Sequence, residues 1–183
     1  MKATGIVRRI DDLGRVVVPK EIRRTMRIRE GEPMEIFTGR EGEIVLKKYS
    51  PIGELGTVAR EYAQAMAQEM SGCLVCISDH DQIVAASGPE QKEYQGKVIS
   101  RELEETIMNR ESIYTDKKDK GAIRVTPDQS QEECSQVVQP IICAGDAIGA
   151  VIMMGKKDGV KLGETEKKLA AVAAGFLGKQ MEE

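Results

Sequence analysis

The sequence of 183 residues is poor in side chains that stack on nucleic acid bases. It contains no tryptophan, and aromatic residues make up only 3% of the chain. Surfaces that bind RNA or single strands depend on exposed aromatic rings, so the composition argues against both partners. The glycine-rich Walker A and Gly-x-Gly-x-x-Gly signatures are also missing, which argues against a nucleotide-dependent enzyme.

Long apolar runs are missing as well. The longest, residues 148–154, includes Gly149 and is far too short to span a bilayer. The first residues are mixed and charged, with no apolar block typical of a signal peptide. We therefore predict a cytoplasmic protein without a membrane partner.

Groups for catalysis or metal binding are scarce. The single histidine, His80, lies between two aspartates in a polar turn. Cys73 and Cys76 have CxxC spacing, but the Leu-Val between them indicates a strand, in which residues three apart point to opposite faces. Without an export signal, these thiols and those of Cys134 and Cys143 are expected to stay reduced. We predict no catalytic site, no metal and no cofactor; an enzyme that uses Cys73, Cys76 or His80 is the alternative.

The formal charge of −3 hides an asymmetry along the chain. Residues 1–50 hold twelve lysines and arginines against eight acidic residues, whereas residues 51–183 hold fifteen against twenty-two. A basic segment joined to an acidic body indicates that the first part meets a polyanion and the second does not.

The first fifty residues indicate a small β-β-α-β-β module. Pro19 suits the first position of a helix, which we predict to continue to Arg27. The predicted strands are residues 5–10, 15–18, 34–38 and 43–48. So small a module, without a disulfide or metal, leaves apolar strands uncovered, and strand exchange with a second copy is the simplest cover. We predict an obligate dimer.

The predicted helix carries cations on one face, because its basic residues are spaced three and four apart. Like charges at this spacing cost a few tenths of a kcal/mol in an isolated helix, and a phosphate backbone would favour them. A basic surface without a partner is the alternative. With the arginines of the preceding hairpin, the candidate DNA-binding residues are Arg8, Arg9, Arg15, Lys20, Arg23, Arg24 and Arg27.

Residues 2–9 (Lys-Ala-Thr-Gly-Ile-Val-Arg-Arg), 13–19 (Leu-Gly-Arg-Val-Val-Val-Pro) and 22–25 (Ile-Arg-Arg-Thr) resemble the DNA-binding domain of the AbrB family of transition-state regulators. The resemblance implies a swapped-hairpin β-barrel dimer. It places the family's DNA-contacting arginines at Arg8, Arg15, Arg23 and Arg24, with a neighbouring basic position at Arg9. Lys20 and Arg27 are added from the helical face.

The remaining sequence predicts an α+β domain of antiparallel strands between two amphipathic helices. Apolar residues recur at helical spacing over 52–70 and again over 162–180. The strands at 136–143 and 147–154 are similar to the closing strands of GAF domains, which implies a GAF-like α/β/α sensor domain. The Asn-Lys-Phe-Asp-Glu set linked with cyclic-nucleotide-binding GAF domains is missing, so the identity of any ligand stays open.

We therefore predict an AbrB-like DNA-binding domain at 1–50, a linker at 51–55 and a GAF-like regulatory or oligomerisation domain at 56–183. The terminal helices of the second domain are expected to join dimers into a homotetramer. Family members with this domain order are sporulation regulators, so the resemblance implies activation and repression of sporulation genes by a nucleoid-associated protein of the forespore. An unidentified small molecule is a further expected partner.

An antitoxin-like protein-binding module is the alternative function, because related swapped-hairpin modules neutralise ribonuclease toxins. Such antitoxins carry a flexible acidic tail. The acidic part of this chain has strand and helix periodicity instead, which favours a folded domain.

Overall fold

The computed structural model describes residues 4–116, 121–129, 134–156 and 160–182. The chain divides into two compact units, Met1–Tyr49 and Ser50–Glu183. Lys2 and Ala3, which carry part of the family resemblance, lie outside the described residues. No helix in the described ranges is long and apolar enough to cross a bilayer.

The first unit contains one short helix and one hairpin. Helix α1 (Lys20–Thr25) follows Pro19, and strands β1 (Met34–Thr38) and β2 (Ile44–Lys48) pair antiparallel. The hairpin closes where the amide of Gly39 donates to the carbonyl of Glu43 at 2.8 Å. The helix and both strands agree with the sequence-based expectation.

The segment before α1 differs from the expectation. The turn at 11–14 is present, but residues 5–10 and 15–18 have no strand partner among the described residues and form no strand. Their apolar side chains face outward: Val7 is 84% exposed and Val17 is 71% exposed. Strand structure requires a neighbouring backbone, and the described part of one chain provides none for this segment.

The second unit is built on a five-stranded antiparallel sheet of order β4-β3-β7-β6-β5. Its elements are α2 (Pro51–Glu54), α3 (Gly56–Glu69), β3 (Cys73–Ser78), β4 (Ile83–Ser87), α4 (Gln91–Tyr94), α5 (Arg101–Met108), β5 (Ile113–Thr115), β6 (Gln136–Cys143), β7 (Asp146–Gly155) and α6 (Glu164–Gln180).

The sheet is buried on both faces. On one face Val75 and Met153 pack in a cluster with Ala63 of α3 and Ala173 of α6. On the other face, β3, β7 and α5 contribute Cys76, Ile152 and Leu103 to a second cluster. Alternate residues of a strand point to opposite faces, so central strands covered on both sides consist almost wholly of apolar residues. The result is the α/β/α arrangement that the sequence predicts.

The predicted linker at 51–55 is instead largely helical. Ser50 caps α2 by accepting a hydrogen bond from the amide of Gly53 at 3.0 Å, and its hydroxyl donates to Asp79 at 2.7 Å. Ile52 is fully buried in the core beside α3 and α6. Proline after a serine is as typical of a helix start as of a linker, and here the burial of Ile52 decides for the helix.

Residues 122–125 join no sheet in the described structure. The backbone amide and carbonyl of Ile123 both bind the side-chain amide of Gln136, each at 2.9 Å. A glutamine side chain thus satisfies the two backbone groups that a neighbouring strand would otherwise take.

The outer edge of the sheet is closed in a similar way. Strand β4 pairs with β3 on one side only. On its free side the amide of Ala86 donates to Gln95 Oε1, and Gln95 Nε2 donates to the carbonyl of Val84, both at 2.8 Å.

Candidate nucleic-acid interface

The turn at 11–15 holds one of the candidate arginines in a defined place. Asp11 Oδ1 accepts hydrogen bonds from the amides of Leu13 at 3.0 Å and Arg15 at 2.8 Å. Asp11 Oδ2 accepts from Arg15 Nε at 2.8 Å. The backbone and side-chain hydrogen bonds from Arg15 hold the pKa of Asp11 below its usual range. The carboxylate therefore stays ionised at neutral pH and keeps its contact with Arg15.

The other two arginines of this segment lie on the same exposed stretch. Arg8 and Arg9 are both exposed, and Arg8 Nη1 donates to the carbonyl of its neighbour Val7 at 3.2 Å. Their guanidinium groups are accessible to an anionic ligand.

Helix α1 brings three of the predicted cations together. Lys20 and Arg24 are exposed, whereas Arg23 is half-buried. Arg23 Nε is buried and has no hydrogen-bond partner among the described residues. A buried guanidinium nitrogen without an acceptor is costly to the folded state.

Arg27 does not lie on the helical face predicted for it. The helix ends at Thr25, and two closing bonds run from the amide of Arg27 to the carbonyl of Arg24 and from the amide of Ile28 to the carbonyl of Arg23. Arg27 itself has a φ of +53°. This is the Schellman helix ending, in which a left-handed residue follows the last turn, so Arg27 leaves the direction of the helix.

The predicted cations thus form two groups. Lys20, Arg23 and Arg24 lie together on α1, whereas Arg8, Arg9 and Arg15 lie on the preceding segment. In the described structure, no hydrogen bond joins a member of one group to a member of the other. Sequence analysis assigned no role to Asp11; its position four residues before an arginine is the signal that could have marked it.

The candidate groups of the second unit are arranged differently. Burial raises the pKa of the Cys73 thiol to about 12 and raises that of Cys76 as well, so both thiols are protonated at neutral pH. His80 lies in the turn after β3 and is half-buried. No cluster of three or more His, Cys, Asp or Glu side chains in the described ranges is placed to hold a metal ion.

A basic helix-and-hairpin unit followed by an α/β/α domain defines the class of AbrB-like regulators that carry a GAF-like domain. The profile described as "Stage V sporulation protein T C-terminal, transcription factor" matches residues 54–182, and that described as "Antidote-toxin recognition MazE, bacterial antitoxin" matches residues 7–54. Stage V sporulation protein T of Bacillus subtilis (strain 168) is 51% identical over all 183 residues, covering 100% of both chains. The chain therefore belongs to the stage V sporulation protein T family of transcription factors.

Two further comparisons concern the separate units. Transition state regulatory protein AbrB of Bacillus subtilis (strain 168) is 57% identical over 51 residues, which cover 28% of this chain and 52% of AbrB. The second GAF domain of DevS from Mycobacterium smegmatis has a TM-score of 0.51 at 14% identity, over 73% of this chain and 94% of its own. Cyanobacteriochrome receptor PixJ has a TM-score of 0.52 at 15% identity, over 73% and 99%. These structural likenesses confirm the GAF fold and leave any ligand open.

Proposed function

We propose that this chain binds double-stranded DNA in a sequence-specific manner through residues 1–50. The observation that carries the proposal is α1, where the exposed Lys20 and Arg24 lie beside the half-buried Arg23 on one helix. The basic charge of this part against the acidic charge of residues 51–183 supports it. So does the resemblance that places DNA-contacting arginines at Arg8, Arg15, Arg23 and Arg24.

Arginine suits both tasks that such a surface has. Its planar fork gives two parallel hydrogen bonds to phosphate oxygens or to the O6 and N7 of guanine in the major groove. Phosphate contacts fix the position of the protein, whereas base contacts select the sequence. With few candidate base readers in each chain, the sequence-dependent shape of DNA supplies part of the specificity.

The DNA-binding form we propose is a swapped-hairpin dimer. The strongest support is the segment before α1, where apolar side chains such as Val7, Ile10 and Val17 are exposed and the backbone has no strand partner in the described part of the chain. A second copy would cover the apolar side chains and would supply a strand for the backbone to pair with. Each arginine then occurs twice, so pseudo-symmetric operators are expected.

We further propose that residues 56–183 assemble dimers into a tetramer and serve as a non-catalytic regulatory domain. Leu169, Val172 and Phe176 are exposed on α6, and the Phe176 ring stacks on Tyr62 of α3 with centroids 5.5 Å apart. An apolar stripe on paired helices is suited to a bundle between chains. A small molecule bound by this domain is also part of the proposal, with its identity open.

The family supports a proposal for the cellular role. We place the protein in the cytoplasm, associated with the nucleoid and in the forespore, where it activates and represses genes of the sporulation programme. The full-length match to a sporulation protein supports this role over that of an antitoxin, because it includes the folded second unit. A purified sample with about one zinc per chain would contradict the non-catalytic, metal-free reading.

The test of DNA binding is a titration of Arg23→Ala and Arg24→Ala against two duplexes at several salt concentrations. One duplex is enriched by the wild-type protein from a random library, and the other is a random pool of equal length. Loss of a phosphate contact weakens binding to both and, at about 0.9 per contact, reduces the salt slope of a dimer by roughly two. Loss of a base contact costs about 1–3 kcal/mol on the enriched duplex alone.

Arg101→Ala is the matched control, because Arg101 is an exposed arginine of the acidic unit and the substitution removes the same charge. We expect it to bind both duplexes as the wild type does. If Arg23→Ala and Arg24→Ala behave like this control, α1 is merely a solvated surface and the proposed interface is wrong.

A further inference from the structure

The carboxylate of Asp11 performs two separate tasks with its two oxygens. Oδ1 accepts from the amides of Leu13 and Arg15 and so closes the turn. Oδ2 accepts from Arg15 Nε at 2.8 Å and so fixes a side chain. The backbone amide of Asp11 also donates to the carbonyl of Arg15 at 3.0 Å. All of these contacts lie within five consecutive residues, so the arrangement does not depend on a partner chain.

The contact at Nε determines which part of Arg15 is available to a ligand. A guanidinium has five N–H donors, and a bond at Nε leaves the two terminal amines free to act as a fork. The side chain of Arg15 is 68% exposed, so this fork faces solvent. Anchoring the stem at Nε also reduces the rotamer freedom that a flexible arginine loses when it binds.

The same contact makes Arg15 a poor ligand for phosphate. The carboxylate of Asp11 lies beside the guanidinium and repels an approaching phosphate, while it offsets much of the arginine's charge. The edges of guanine carry acceptor atoms but no net charge, so they do not suffer this repulsion. Arg8 and Arg9, which are exposed on the same stretch, are better placed to bind the phosphate backbone of DNA.

We infer that Asp11 is a positioning residue that makes Arg15 read base edges rather than phosphates and thereby sets sequence specificity. This inference rests on the proposed DNA-binding function. In physical terms, Oδ2 holds the guanidinium so that its two terminal amines point outward. The negative charge of the Asp11 carboxylate weakens binding that depends on phosphate contacts alone.

The experiment compares Asp11→Asn with Asp12→Asn in the full-length chain. Asparagine keeps one oxygen for the amides of Leu13 and Arg15, and in that orientation it turns its NH2 group toward Arg15 Nε, where two donors face each other and no hydrogen bond forms. Asp12 is an exposed neighbour in the same turn and makes no hydrogen bond or ion pair with Arg15 in the described structure. Its substitution therefore removes the same charge without touching that contact.

Affinities are measured on a duplex enriched by the wild-type protein from a random library and on a random duplex pool. For Asp12→Asn we expect tighter binding to both duplexes by the same factor. For Asp11→Asn we expect the ratio of the two affinities to fall about tenfold, the order lost when one arginine no longer reads its base. The salt slope on random DNA should steepen by up to about two for a dimer, because each freed arginine becomes a phosphate contact.

A double substitution separates positioning from a general effect on the turn. With Arg15→Ala in the background, Asp11→Asn should change the affinity ratio no more than Asp12→Asn does. If Asp11→Asn also lowers the unfolding temperature, Arg15→Lys is the second variant: it keeps the charge and loses the fork, so discrimination should fall with little change on random DNA.

The inference is overturned if Asp11→Asn and Asp12→Asn change both affinities equally, or if Arg15→Lys discriminates as the wild type does. A wild-type protein that enriches no duplex would overturn the proposed function itself, and that failure is visible before any variant is measured.

Discussion

Arg27 occupies a position that glycine would fill with less strain. It ends α1 with a φ of +53°, a conformation that costs a residue with a side chain about 1 kcal/mol or more relative to glycine. Strained residues persist where the side chain is needed for another purpose, and Arg27 is one of the candidate DNA-binding cations.

We predict that Arg27→Gly raises the free energy of unfolding by about 1 kcal/mol while it weakens DNA binding and lowers the salt slope by roughly two per dimer. Arg27→Ala is the control, because it removes the cation and keeps the strain. Urea denaturation and duplex titration measure the two effects. Equal stability of the glycine and alanine variants would exclude strain at this position.

An ion pair within the second unit gives a prediction for pH. Glu102 accepts from Arg124 Nε at 3.1 Å, and the hydrogen bonds from the side chain and backbone of Arg124 lower its pKa from the ordinary 4.5. A carboxyl whose pKa is lowered by folding stabilises the folded state above its unfolded pKa, and this contribution is lost as the pH falls. Both side chains are partly exposed, so the effect is small.

Urea denaturation of wild type and Glu102→Gln between pH 7 and pH 3 tests this. We expect the wild type to be more stable at pH 7 and the difference to shrink below about pH 4.5. Glu105→Gln, which breaks the more exposed pair with Arg101, is the control and should show a smaller difference. A difference for Glu102→Gln that is constant with pH would show that the ion pair is not responsible.

At the scale of elements, α6 packs closely against the sheet because one of its residues at the contact is glycine. A Cβ on Gly178 would collide with the backbone carbonyl oxygen of Ile142 in β6, whereas a Cβ on Gly175 of the same helix would meet no atom within 4 Å in the described chain. The helix therefore approaches β6 as closely as it does because residue 178 has no side chain.

We predict opposite effects for two identical substitutions in α6. Gly178→Ala should lower the free energy of unfolding by about 2 kcal/mol or more, because neither backbone can yield easily. Gly175→Ala should raise it by about 0.5–1 kcal/mol, because alanine favours helix. Thermal and urea denaturation of both variants provide the measurement, and a loss of stability at both positions would contradict the geometry.

The elements could be predicted from the sequence where local signals decide them. Pro19 predicted the start of α1, and the strand patterns at 34–38 and 43–48 predicted β1 and β2. The sequence could not show that residues 5–10 and 15–18 find no strand partner among the described residues of one chain, since pairing depends on atoms far away or in another copy. Nor could it show that Gln136 would replace a strand beside Ile123.

The candidate site was predictable to a similar extent. Charge and spacing placed Lys20, Arg23 and Arg24 on one helix. The helix ending that turns Arg27 away and the contact between Asp11 and Arg15 depend on backbone angles and side-chain geometry, which residue types alone do not specify.

At the scale of the whole molecule, the exposed apolar stripe of α6 gives a prediction about assembly. We expect the wild type to be a tetramer at micromolar concentration and Val172→Glu to be a dimer, because a charge at a residue that is 62% exposed in one chain would be buried in the bundle. Analytical ultracentrifugation of the full-length chain measures this.

Ala171→Glu is the matched control, since it places the same charge on an exposed residue about 100° around the same helix. It should leave the tetramer intact. A wild type that sediments as a dimer would contradict the bundle.

The side chain of Gln95 has a consequence for how large an assembly of this protein can become. A free sheet edge can add copies without end, because each added strand exposes a new edge, whereas contacts between helix faces close once their surfaces are used. Because the side chain of Gln95 binds the carbonyl of Val84 and the amide of Ala86, these two groups are not available to a further strand beside β4. Growth by addition of strands at this edge is blocked, so a domain that brings chains together can do so without seeding fibres there.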